Sequence, residues 1–195
     1  MIKARRIGHA VFETPDIERQ LDYYTGTVGL VPAAREKDRV FLVSRLGHLA
    51  IELRQGHEPR CIKLTFEVAP DTNFADAARQ LAAQGIKSDR RSDAMPGIPE
   101  SLAFDDPKGT TIELFSRWND LSDEQESRGA QVFKLGHVAF LVPDPQATVD
   151  FYVKVLGFRV SDWIEDFFAF LRCNSDHHTV NFLRSKGVRI HHLAF

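Results

Sequence analysis

The stretch IGHAVFETPDIERQLDYYTGTVGL (7–30) decides the fold, because it returns as LGHVAFLVPDPQATVDFYVKVLGF (135–158). The register holds without a gap. His9 returns as His137, Asp16 as Asp144, Tyr24 as Tyr152 and Gly29 as Gly157, each 128 positions on. A spacing kept over four chemically different residues marks an internal duplication. Further along, CIKLTFEV (61–68) resembles IHHLAF (190–195), with Phe66 matching Phe195.

Within each copy the order is strand, helix, then several strands. Ile7 to Phe12 is a short apolar strand; Thr14, Pro15 and Asp16 break it and open a helix, Pro15 fixing φ. Over Ile17 to Val28, Leu21, Tyr24 and Val28 fall at i, i+3 and i+7, which gives one buried face, and Gly29 ends the run. Phe41 to Val43 and His48 to Leu53 then read as strands. A second unit follows inside the first half. Cys61 to Val68 is its strand and Phe74 to Ala83 its helix, ended by Gly85. The strands Leu102 to Phe104 and Thr110 to Phe115 flank the turn at 105–109. The polar stretch from Trp118 to Ala130 has no apolar period and reads as a linker. The predicted organisation is a first domain over 1–117, a linker over 118–131 and a second domain over 132–195.

Of the 195 residues, 43% are hydrophobic and 27% charged, which suits a soluble globular chain with one or two cores. A net charge of -2 from 25 basic and 27 acidic side chains provides no basic stripe for nucleic acid and no polybasic membrane patch, so a small-molecule partner is expected. Two cysteines, Cys61 and Cys173, are too few for a disulfide framework or a thiolate metal cage. The N-terminus meets Glu13 and Asp16 before any long apolar run, so neither a signal peptide nor a spanning helix is expected. The expectation is a cytoplasmic protein.

Four segments carry a family resemblance: GHVAF around His137, VDFYVKVLGF after it, CNSDHHTVNF around His178, and RIHHLAF at the end. They resemble the vicinal oxygen chelate superfamily, and within it the two-domain extradiol ring-cleavage dioxygenases. The resemblance covers nearly the whole chain. It implies an α+β fold of tandem βαβββ units that form two curved, partly open β-sheet barrels, with the fourth unit cut off here. It also implies that only the C-terminal domain holds Fe(II), Mn(II) being the less favoured ion. The implied reaction is ring opening of a small aromatic diol by O2, in aromatic catabolism. A homo-oligomer is the family habit.

His137 and His192 are the expected metal ligands. An imidazole on an apolar strand is usually a packed core histidine. What lifts His137 is that His192 lies on the equivalent first strand of the next unit and can face the same cavity. With a carboxylate they would form the two-histidine, one-carboxylate facial triad of Fe(II) oxygenases. The repeat sets that carboxylate near position 241, 128 beyond Glu113 and past Phe195. Strand alternation sends only one of His191 and His192 into the pocket; the family resemblance favours His192, so His191 is expected on the opposite face. The resemblance makes His178 the expected acid-base residue, since it precedes the strand that lines the iron pocket in the family, and imidazole suits a diol that must lose protons and a product oxygen that must gain one near neutrality; its neighbour His177 is expected to face away. The first domain is a control: His9 is kept, but Lys63 replaces the second histidine and is a poor ligand when protonated. Its site is expected to be dead, with Glu113 structural, and His48 and His57 are expected to be ordinary, partly exposed histidines. Ala139, two residues after His137, stands where some family members that act on acidic catechols carry a polar residue, so the resemblance implies a less polar substrate. Two competing functions remain, a glyoxalase-like isomerase or epimerase using Zn or Ni, and a non-catalytic binder of the bleomycin-resistance type.

Overall fold

A computed structural model describes residues 2–121 and 128–195. The first unit runs β1 (Arg6–Thr14), α1 (Ile17–Tyr23), β2 (Val31–Arg35), β3 (Arg39–Val43) and β4 (Leu49–Gln55). The second runs β5 (Arg60–Glu67), α2 (Phe74–Ala82), β6 (Asp89–Met95), β7 (Ile98–Asp105) and β8 (Thr111–Phe115). Together they make one eight-stranded sheet in the order β2-β3-β4-β1-β5-β8-β7-β6. The order is a palindrome. Each unit's first strand pairs parallel with its own last strand, and the two first strands meet antiparallel at the centre. The third unit repeats the pattern with β9 (His137–Val142), α3 (Pro145–Leu156), β10 (Arg159–Ile164), β11 (Phe168–Arg172) and β12 (Val180–Arg184). Its five-stranded sheet, β10-β11-β12-β9-β13, takes its last member from β13 (Arg189–Ala194). This is the expected α+β arrangement of tandem βαβββ units.

Local chemistry accounts for the helices. Asp16 caps α1 by accepting from the Arg19 N–H at 3.0 Å, and Asp144 caps α3 by accepting from the Ala147 N–H at 2.9 Å, with Pro145 in the first turn. Gly29 and Gly157 follow their helices with φ of +82° and +71°, a left-handed conformation that only glycine adopts without strain. The single helix expected over 17–28 is divided: α1 ends at Tyr23, and Tyr24–Val28 forms a π turn that buries both Tyr24 and Val28. Strands β2 and β6 are additions to the sequence reading. Both are edge strands, and β2 is largely exposed, so neither carries the alternation that betrays a half-buried strand.

The start of the expected linker is packed. Trp118 stacks on His48, with ring centroids 4.7 Å apart, and the Leu121 N–H donates to the Gly47 carbonyl at 3.0 Å. Residues 122–127 of that linker lie outside the described residues. The halves also touch directly, in a reciprocal way. Tyr152 on α3 packs against Phe66 of β5 at 6.3 Å, and Tyr24 of the first unit packs against Phe195 beside β13, also at 6.3 Å. Since 24 matches 152 and 66 matches 195, the two contacts are the same contact made twice across a pseudo-two-fold axis.

Candidate metal centre

His137 opens β9 and His192 lies on β13, whose register sets His192 opposite Ala139. Residues two apart on a strand share a face, so His137 and Ala139 point the same way and His192 joins them. The two Nε2 atoms are 2.9 Å apart. Two nitrogens on neighbouring octahedral positions, each about 2.1 Å from a metal, would be roughly 3.0 Å apart, so this spacing fits ligation of one ion. His178, in the loop before β12, brings its ring to 4.3 Å from that of His137, centroid to centroid. The structure thus places all three sequence-predicted residues in one cluster.

The cluster's electrostatics suit metal binding. Burial first, then the nearness of His178 and His192, pushes His137 down to about 4. Burial and the adjacent imidazoles likewise lower His178 and His192, Asp176 partly opposing the shift at His178. Neutral imidazoles present a lone pair, which is the form that ligates.

Two neighbours depart from strict alternation. His191 was expected on the opposite face, yet its Nδ1 lies 2.6 Å from that of His192. The reason is a bulge between Ile190 and His192, where the register with β9 slips by one residue. His177, expected to face away, sits with Nδ1 2.9 Å from that of His178, because both occupy a loop rather than a strand. Asn181 escaped sequence reading altogether. It pairs with Ala139 on one side and Phe170 on the other, which sets it on the face of His137, and its buried Oδ1 has no partner.

The matching place in the first domain is filled by protein. Lys63 pairs with Val11 as His192 pairs with Ala139, and its Nζ lies 2.6 Å from the Glu113 carboxylate and 3.6 Å from the Met95 sulfur. Ser101 also donates to Glu113. His9 is fully buried, its Nδ1 3.1 Å from the Thr65 hydroxyl, and burial plus the nearby Lys63 and Arg54 charges hold it well below the usual imidazole range. Phe41, Leu49, Met95, Ile98 and Phe115 pack into a separate apolar cluster there. Phe115 lies so close over Gly8 that a Cβ at that position would fall 2.3 Å from its ring. His48 is partly exposed, as expected; it stacks on Trp118 and has its Nε2 3.5 Å from Asp120.

The Glyoxalase/Bleomycin resistance protein/Dioxygenase superfamily is the family whose sequence model matches, over residues 6–114 and 134–194. A biphenyl-2,3-diol 1,2-dioxygenase of Paraburkholderia xenovorans (strain LB400) is 28% identical over 196 residues, which are 90% of this chain and 65% of that protein. A 3-methylcatechol 2,3-dioxygenase of Pseudomonas putida (strain F1) is 26% identical over 209 residues, 96% of this chain and 71% of that protein. The chain therefore spans about two thirds of the length of such relatives. Among solved structures, the 2,3-dioxygenase LapB from Pseudomonas sp. KL28 superposes with a TM-score of 0.84 at 22% identity, over 99% of this chain and 75% of that one. At that identity the likeness speaks for the fold.

Proposed function

Because the chain belongs to the glyoxalase/bleomycin resistance protein/dioxygenase superfamily, we propose that it takes part in opening a catechol-type aromatic ring with O2 at a mononuclear Fe(II) centre, in the breakdown of aromatic compounds. The observation that carries this reading is the 2.9 Å approach of the His137 and His192 Nε2 atoms from adjacent strands. The names of the relatives, which act on biphenyl-2,3-diol and 3-methylcatechol, support the substrate class. Ala139 beside the histidines favours a diol with an apolar substituent, and Fe(II) is preferred to Mn(II) because the two histidines are the imidazole part of a two-histidine, one-carboxylate set that suits non-haem iron; among the described residues no carboxylate completes it. A cytoplasmic homo-oligomer is the proposed setting; no helix among the described residues is long and apolar enough to cross a membrane.

His137 and His192 would hold the ion, which supplies the redox and Lewis-acid chemistry of the reaction when bound. His178 has its Nδ1 engaged with His177, which leaves Nε2 as the atom that takes a proton from a diol hydroxyl and returns one to a product oxygen. Its lowered proton affinity keeps it a base at neutral pH. Phe170, whose ring is 5.3 Å from that of His178, packs edge-on against this imidazole.

The test is anaerobic Fe(II) loading, then 2,3-dihydroxybiphenyl or 3-methylcatechol, then O2. The expected result is a yellow ring-opened product, lost together with the iron in His137→Ala and His192→Ala. In His178→Asn iron is retained and turnover falls at least a hundredfold, in line with the usual worth of a general acid-base. Full iron loading without product would defeat the proposed activity, and undiminished iron in His137→Ala would defeat the proposed site.

A further inference from the structure

A second polar cavity lies beside the end of β11 and the start of the loop that follows it. It has a volume of about 290 Å³ and is lined by Lys3, Gly157, Arg159, Arg172 and Asn174, among others, and shares no lining residue with the histidine cluster. The N-terminal segment forms one wall, anchored where the Ala4 N–H donates to the Leu156 carbonyl at 2.9 Å. Arg159 and Arg172 are direct partners in the β10–β11 register, so their guanidinium groups leave the sheet on one face. Like charges set directly opposite each other across two strands destabilise a sheet. The cost is not relieved from within: among the described residues none of Lys3, Arg159 and Arg172 has a carboxylate in ion-pair range, and the Arg172 Nε is buried without a hydrogen-bond partner. Asp176, whose charge is felt at neighbouring Cys173, is committed to Lys134 at 2.6 Å.

Three cations around one cavity, one with an orphaned buried donor, are complete only with an anion. We propose that this cavity binds a small doubly charged anion of the phosphate or dicarboxylate class. The planar donor forks of Arg159 and Arg172 grip two of its oxygens, Lys3 closes the mouth, and Asn174 adds a neutral polar contact. The site is independent of the ring-opening activity proposed above and stands or falls without it.

The experiment titrates the whole chain with inorganic phosphate, and separately with succinate, by calorimetry and by the shift of the urea midpoint, with ionic strength held constant by sodium chloride. Saturable binding of either anion is expected, the better of the two identifying the class, with affinity lowered at least tenfold in Arg172→Gln and in Arg159→Gln. Arg159 is exposed, so its variant tests the site even where the change at half-buried Arg172 perturbs folding. In anion-free buffer Arg172→Gln is expected to be at least as stable as the parent, because it removes the cross-strand repulsion. An equal response to chloride alone would overturn the proposal, as would undiminished binding in both variants. A loss of stability in anion-free Arg159→Gln would also overturn it, since that would mean the arginine is already partnered within the protein.

Discussion

Lys63 stands on β5 where His192 stands on β13, and one side chain changes what each cup can hold. The Lys63 ammonium meets the fully buried Glu113 carboxylate at 2.6 Å, so the first cup carries its own cation. Removing one member of a buried ion pair leaves the other uncompensated, which costs about 3–5 kcal/mol, whereas removing both charges is close to neutral. Lys63→Met is therefore expected to lower unfolding free energy by about 3 kcal/mol, and Lys63→Met with Glu113→Gln to recover most of it. Urea denaturation measures both, and a Lys63→Met protein as stable as the parent would refute the pairing. The exchange of Lys63 for histidine is visible in the sequence because the repeat aligns the two positions. Asn181 is not, because its importance lies in an unpartnered buried oxygen that no spacing announces.

At the scale of elements, helices were easier to read than edge strands. Asp16 and Asp144 at the caps, Pro145 in the first turn of α3, and Gly29 and Gly157 at the ends are local signals whose physics does not depend on the rest of the chain. Asp144→Ala removes the hydrogen bond to the Ala147 N–H, and a loss of about 1 kcal/mol is expected for a cap of this kind. Thermal unfolding followed by circular dichroism is the check; Asp144→Ser should restore most of the loss. The edge strands β2 and β6 carry no apolar alternation and emerge only when β3 and β7 offer them free hydrogen-bonding groups. The bulge at His191 is equally silent, since it reflects how β13 meets β9 and not any property of the residues in IHH.

For the molecule as a whole, the duplication becomes a pseudo-two-fold pairing of halves, with a polar lock beside the apolar contacts. The Tyr152 hydroxyl donates to the buried Asp106 carboxylate at 2.9 Å; Lys108 pairs with the same carboxylate and holds its ammonium 4.2 Å over the Phe140 ring. Burial and the adjacent Asp106 charge push the Tyr152 phenol well above its usual range, which keeps it a donor at all working pH values. Tyr152→Phe deletes one hydrogen bond to a buried charge and is expected to cost about 1.5–3 kcal/mol. It should also speed proteolysis at the junction, as seen by the time course of limited digestion. Unchanged stability and digestion would show that the halves do not depend on this lock.

The sequence by itself determined the repeat, the order of strand, helix and further strands within each copy, and where the helices start and stop, because each rests on local periodicity or on a spacing repeated within the chain; the proposal of His137 and His192 as ligands drew on the family resemblance as well. Only the tertiary structure decided that Asp106, Lys108 and Tyr152 form one buried cluster, that His191 lies beside His192, and that Arg159 faces Arg172 across an unneutralised cavity. These depend on which strands and halves meet and in what register. That choice is made by the burial of the whole core, which leaves no mark at any single position.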